Sequence, residues 1–292
     1  MRVAIIGAGK MGRWFTRYFI QQGHEVSISD INEKAAKRFA EVMGISFSRS
    51  NSEVASSSYL LMICTPIEAV PTVVKEILDY VDPSAPIAEI SSVKSPVMPA
   101  LKKAASSGKL ILSLHPLFGP GAEISARERM ILVPVSDADS EITLARELFP
   151  GMKIMPLDLE RHDYVMSLTL SLIYYANIAL ASILAQEDIK ELRRFGGTTF
   201  KMQLTLSESI MSEDPALCVS IQMSNPYTVQ SIERFLSEAH KLLDYIRGGD
   251  REKFRSFLKD VRSTLAKSED MARSYEDMYK ALKVIREGDA NL

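Results

Sequence analysis

Ten residues near the N-terminus, Val3 to Gly12 (VAIIGAGKMG), restrict the fold of this 292-residue chain more than any other segment. An apolar run, three glycines spaced G-x-G-x-x-G and an amphipathic stretch follow one another without a break. The pattern predicts a buried strand at Arg2–Ile6, a tight turn and a helix from Lys10 to Gln22. Gly7 permits the turn, Gly9 lets a pyrophosphate approach the backbone, and Gly12 lets helix and strand pack closely. The helix N-terminus, carrying Lys10 and Met11, offers unpaired N–H groups and a positive dipole end to phosphates. A second strand, EVSIS, then runs to Asp30, eighteen residues beyond Gly12, where a carboxylate can accept hydrogen bonds from ribose hydroxyls. These residues predict a dinucleotide-binding unit of the Rossmann type. A carboxylate at Asp30 repels a 2′-phosphate, no arginine follows within seven residues, and Lys34 is the nearest cation, so NAD is preferred to NADP.

Proline divides the rest. Eleven of the 13 prolines fall at or before Pro156, and only Pro215 and Pro226 lie in the 136 residues after it. Since proline is expelled from helix interiors, the later part should be all-helical. The earlier part alternates short apolar runs with amphipathic segments, the mark of a parallel sheet with crossover helices. Strands are expected near Arg2–Ile6, Glu25–Ser29, Tyr59–Cys64, Ile87–Ile90, Leu110–Leu114, Met130–Pro134 and Lys153–Met155. The division is thus 1–156, an α/β nucleotide-binding domain, and 157–292, a helical domain for substrate and dimerisation.

Charge and cysteine content narrow the function. Thirty-five basic and 37 acidic residues give a net charge of −2, which supplies no footprint for nucleic acid or an anionic membrane. Two cysteines, Cys64 and Cys218, and four histidines argue against a disulfide framework or a metal site. Met1 and Arg2 lead directly into the first strand and leave no room for a signal peptide, so a cytoplasmic location is expected.

Two further strand ends carry polar residues where an open α/β sheet places its ligands. In AEISSVKSP, Ser91, Ser92 and Lys94 follow the strand ending at Ile90; in LILSLHPLFGPG, His115 follows the run ending at Leu114. Histidine is the side chain suited to proton transfer near neutrality. Thr65, beyond the third strand, is a candidate cofactor contact.

GAGKMG, SSVK and HPLFGPG, in that order and spacing, resemble the prephenate dehydrogenase family of tyrosine biosynthesis. ERHDYVM and GGTTFKMQLTLSESIMSEDPALCVSIQMSNP are similar to the helical domain of its bifunctional members, which carry a chorismate mutase. The resemblance implies oxidation of prephenate to 4-hydroxyphenylpyruvate with loss of carbon dioxide and hydride transfer to NAD. It makes His115 the hydrogen-bond acceptor and base for the substrate hydroxyl, and Ser92 a partner of that hydroxyl or an orienter of His115. Lys94 and Ser91 become candidate substrate contacts. No mutase activity is expected of a chain that starts at the nucleotide-binding strand. Where many relatives carry a substrate-binding arginine, this chain has Lys201, a point charge without the bidentate fork. Arg193, Arg194, Arg127 or Arg129 could serve instead, and the substrate stays open between prephenate and arogenate. His162-Asp163 is read as a structural pair at a helix N-terminus. Rival readings are another two-domain NAD(P)-dependent oxidoreductase and a non-catalytic, redox-sensing NAD-binding protein.

Between Asp163 and Glu187 lie 23 residues without a charge. Acidic flanks and interrupting Ser167, Thr169, Ser171, Asn177, Ser182 and Gln186 argue against a membrane span. A helix apolar on all sides must be buried on all sides. The family resemblance points the same way, to a homodimer in which this helix packs on a partner.

Overall fold

Alternation along one strand sets up the first half of the molecule. The structure, a computed structural model, describes residues 1–124 and 127–289. In β1 (Arg2–Ile6) successive side chains point to opposite faces, so Val3 and Ile5 join one hydrophobic core while Ala4 and Ile6 join another. The sheet continues through β2 (Glu25–Ser29), β3 (Ser46–Phe47), β4 (Leu60–Ile63), β5 (Ile87–Glu89), β6 (Ile111–Pro116), β7 (Arg129–Leu132) and β8 (Lys153–Pro156). Its order is β3-β2-β1-β4-β5-β6-β7-β8. The order reverses between β1 and β4, the position at which open α/β sheets form their ligand crevice.

Both faces are covered by helices. On the Val3 face lie α1 (Lys10–Gln21), α2 (Glu33–Met43) and, after the intervening helices, the chain's sixth helix at Ala138–Leu148. The Ala4 face carries α3 (Asn51–Ser56), α4 (Val70–Ile77) and α5 (Met98–Ser106); Ala138–Leu148 is α6. Trp14, Phe15, Tyr18 and Phe19 of α1 form an aromatic cluster with Phe149. Burial in it pushes the Tyr18 hydroxyl up to about 12.

The expected strands are present within a few residues, with two differences. β7 runs antiparallel to β6, pairing Leu114 with Leu132 and His115 with Ile131. That pairing carries β6 through His115 and Pro116, so the histidine stands within a strand rather than after one. The two-residue β3 and the single-turn-scale α3 are additional elements.

By compactness the chain forms two units, Met1–Thr169 with Ala216–Tyr227, and Leu170–Pro215 with Thr228–Leu292. A helix beginning at α7 (Leu159–Met166) continues through a π segment at Ser167–Ser171 into α8 (Leu172–Leu184). The N-cap of α7 is Asp158, whose carboxylate accepts from the Arg161 N–H at 2.8 Å; His162-Asp163 is therefore not the cap. In the helical unit follow α9 (Ile189–Phe195) and α10 (Thr198–Met211), then, beyond α11 (Pro215–Ser224), α12 (Thr228–Arg247), α13 (Arg251–Leu265) and α14 (Met271–Asp289). Asn177 knots α8 to α10: its Oδ1 accepts from Gln203 Nε2 at 2.7 Å and from Ser207 Oγ at 2.9 Å. Asn177 is the one buried residue of α8. By length and composition, the Leu159–Leu184 helix is apolar enough to cross a membrane.

Candidate active site

The glycine turn separates what the fold needs from what a ligand needs. A Cβ on Gly7, whose φ is +105°, would lie 2.5 Å from the Cys64 carbonyl oxygen. One on Gly12 would lie 1.9 Å from the Gly7 carbonyl oxygen, so both positions exclude any side chain. A Cβ on Gly9 meets nothing within 4 Å. Gly9 is also the N-cap of α1, and no side chain caps that terminus. The first turn, with exposed Lys10 and half-buried Met11, thus turns the positive end of the helix dipole toward the glycine turn. Asp30 stands at the lip of this cradle. Its Oδ2 accepts from the Ala8 N–H at 2.6 Å and its Oδ1 from the Asn32 N–H at 2.7 Å. Each oxygen keeps a lone pair for a sugar hydroxyl.

Beyond β4 and β5, two hydroxyls are buried with no partner in the protein, Thr65 Oγ1 and Ser91 Oγ; Thr228 Oγ1 is the third such atom among the described residues. Buried hydroxyls are ordinarily satisfied, so Thr65 and Ser91 fit a polar ligand at the carboxyl edge of the sheet. Ser92, next to them, is half-buried.

Beneath His115 lies an ion pair hidden within the sheet. Lys94 and Glu89 are both 0% exposed, and Lys94 Nζ donates to Glu89 Oε1 and to the Leu114 carbonyl, each at 2.6 Å. The other donors to Glu89 are Ser113 Oγ at 2.5 Å and the Ser91 N–H at 2.7 Å. Lys94 therefore does not offer its charge to a substrate; its ammonium ties the ends of β5 and β6 together. Glu89, a buried acid inside an apolar strand, is the partner that sequence reading missed. Burial pushes the Lys94 ammonium down, against the opposing pull of Glu89.

His115 is the first member of a buried chain. Its Nδ1 is 2.9 Å from His162 Nε2, and His162 Nδ1 is 2.7 Å from Asp163 Oδ1. Asp163 is held in turn by the Lys94 and Ser95 N–H groups at 2.9 and 2.8 Å and by Ser95 Oγ at 2.5 Å. Burial alone would raise the Asp163 carboxyl, but bonds from His162, Ser95 and these N–H groups hold it below the carboxylate range. Burial holds His115 well below its ordinary value of 6.5, and the neighbouring His162 and Lys94 add to this. Burial lowers His162 too, with Asp163 opposing it.

Both rings are therefore neutral near pH 7, and the hydrogen bonds assign their protons. A carboxylate only accepts, so His162 carries its proton on Nδ1. Its bare Nε2 accepts from His115 Nδ1–H, and His115 Nε2 is left as an acceptor. The loop after His115 is fixed by Trp14, whose indole N–H donates to the Ala122 carbonyl at 2.8 Å and whose ring lies 4.6 Å from that of Phe118.

Lys201 lies on α10, in the helical unit. Of the alternative cations, Arg193 is paired with Glu208 at 2.6 Å and Arg194 stacks on Phe195, while Arg127 and Arg129 are exposed. Arg13, Lys34 and Arg38 converge with Asn32 and Phe39 on a cleft beside Asp30. The Arg13 guanidinium is held over the Phe39 ring and donates to the Ala8 carbonyl. Among the described residues no cluster of metal-ligating side chains occurs.

Comparison with known proteins gives the family. Residues 15–154 match the family described as prephenate dehydrogenase, nucleotide-binding domain, and residues 158–260 match prephenate dehydrogenase, dimerization domain. The chain belongs to the prephenate dehydrogenase family. A probable arogenate/prephenate dehydrogenase of Methanocaldococcus jannaschii is 25% identical over 95% of this chain, which spans 64% of that relative's length. A 4-amino-4-deoxyprephenate dehydrogenase of Streptomyces pristinaespiralis is 23% identical over 96% of both chains. The fold is shared with the A. aeolicus prephenate dehydrogenase crystallised with hydroxyphenyl propionate and NAD+, at a TM-score of 0.76 and 21% identity over 92% of this chain and 98% of that one.

In this family member the glycine cradle makes a clean separation possible. Gly9→Ala is expected to melt like the wild type, because its methyl group meets no protein atom. Its nucleotide affinity should fall by about tenfold or more, because the methyl occupies the approach of the phosphates. Thermal melting beside a nucleotide-binding titration checks both halves.

Proposed function

We propose that this chain is an NAD-dependent dehydrogenase that converts prephenate to 4-hydroxyphenylpyruvate by oxidative decarboxylation. The observation that carries the reading is His115, a neutral imidazole whose acceptor nitrogen is Nε2, next to the carboxyl edge of a nucleotide-binding sheet. His115 accepts the proton of the substrate 4-hydroxyl, and Ser92 orients that hydroxyl. Bound NAD supplies the two-electron acceptor. Gly9, the first N–H groups of α1 and Asp30 would hold its adenosine and phosphates, with Thr65 and Ser91 near its reactive end. Lys201 supplies positive charge for a substrate carboxylate as a single-point contact. The cleft of Arg13, Lys34 and Arg38 favours a second reading of the cofactor, in which a 2′-phosphate is also accepted; titration with NAD and NADP separates the two.

The functional unit we propose is a homodimer, supported by the family's dimerization domain and by α8, an apolar helix that buries only Asn177 within its own chain. Light scattering should return twice the 32.5 kDa chain mass.

Steady-state turnover of prephenate, arogenate and 4-amino-4-deoxyprephenate tests the substrate. Prephenate is expected to give the highest kcat/KM. Lys201→Ala should raise KM by about tenfold, the scale of one lost charged contact, with kcat nearly unchanged. An unchanged KM would remove Lys201 from the site.

A further inference from the structure

The buried chain behind His115 points to more than one base. We propose that His162 and Asp163 extend His115 into a three-residue acid–base relay, in which the positive charge formed on proton uptake passes to His162 and is neutralised by Asp163. The inference rests on the reading of His115 as the proton acceptor.

The geometry carries the step. The substrate hydroxyl proton goes to His115 Nε2, and the His115 Nδ1 proton crosses 2.9 Å to His162 Nε2. His115 ends neutral, protonated on Nε2. His162 ends as an imidazolium whose Nδ1–H still donates to the Asp163 carboxylate at 2.7 Å. One proton enters, one shifts, and no charge is left on His115.

The surroundings explain why the charge should move. His115 is 6% exposed, and the buried Lys94 ammonium near it disfavours a cation there. His162, at 0% exposure, faces Lys94 as well, but Asp163 and Glu89 oppose that ammonium. Those three groups, Glu89 from β5, Lys94 from the loop after it and Asp163 from α7, are the charged neighbours of the two rings. Asp163 has no freedom to turn away, since three donors from Lys94 and Ser95 fix both oxygens. His162 and Asp163 are positioning residues in this scheme; neither touches the substrate.

Nitrogen-15 spectra of the histidines in the ligand-free protein test the relay without substrate. In the neutral pair the wild type should show His115 protonated on Nδ1 and bare on Nε2. As the pH falls, one proton should be taken up with both rings shifting together. His115 protonated on Nε2, or two independent titrations, would overturn the proposal. The kinetic arm uses His162→Gln, whose amide oxygen accepts the same bond but cannot take the proton. Its kcat should fall by about 10- to 100-fold, within the range for a positioned acid–base group. KM and nucleotide affinity should hold, and the acid limb of the kcat profile should move to lower pH. Full kcat with an unmoved limb would sink the relay. Failure to turn over prephenate or arogenate with wild-type spectra intact would count against the substrate assignment alone.

Discussion

Replacing His115 with alanine is expected to lower kcat by about 10²–10⁴-fold, the usual contribution of a positioned acid–base group. Nucleotide binding should survive, because no contact of the glycine turn, Asp30 or Thr65 runs through this side chain. Asparagine should restore little: its amide can take the bond from one side but cannot accept and hold a proton. The wild-type pH profile follows from the same site. Burial, then the charges of His162 and Lys94, hold His115 below its ordinary 6.5. In the proposed role as base, His115 would therefore be competent across neutral pH, and the acid limb of kcat is expected below pH 6.5. Stability follows with the same sign. Both histidines bind protons more weakly folded than unfolded, so their contribution is complete above about pH 6.5 and is lost as pH falls below it. Near-normal turnover by His115→Ala would remove it from the chemistry.

The second large effect is on stability. Lys94→Met should destabilise the first unit by about 3–5 kcal/mol, because it leaves the Glu89 carboxylate buried with its cation gone. For a unit of this size that is a drop of roughly 6–20 °C in Tm. Adding Glu89→Gln should recover much of the loss, since the unpaired charge is then removed and the Ser91 N–H keeps an acceptor. A solvated or substrate-facing lysine at this position would give a small stability change and a large KM change. The 0% exposure of both partners argues for the opposite.

Elements with a strong local signal were legible in the sequence. The strand, glycine turn and helix at Val3–Gln21 carry their reasons in adjacent residues, and the alternating apolar runs mark β1, β2, β4, β5, β6, β7 and β8. The direction of β7 was not legible: a short buried strand has the same composition whichever way it runs. β3 and α3 are too short to show a period. Ser91 and Thr65 were legible as residues following strands at the carboxyl edge of the sheet, because apolar runs mark where β4 and β5 end; that β6 continues through His115 was not. The role of Lys94 was not legible either, because its partner Glu89 lies inside a strand and its second acceptor is a backbone carbonyl twenty residues away. His162 was hidden for a related reason. It lies 47 residues from His115, and a His-Asp pair in the first turns of a helix looks locally like a cap. A buried acid in an apolar strand was the available signal; the two histidines fall on either side of the division expected at residue 156, and only the folded chain brings them into one unit.

The proposed reaction couples oxidation to loss of the ring carboxylate on this protein. It is tested most directly by measuring reduced nicotinamide and carbon dioxide in one reaction of the purified protein with NAD and prephenate. Equal amounts of the two are expected, both abolished in step by His115→Ala. Reduced nicotinamide without carbon dioxide, or neither product from prephenate or arogenate, would contradict it.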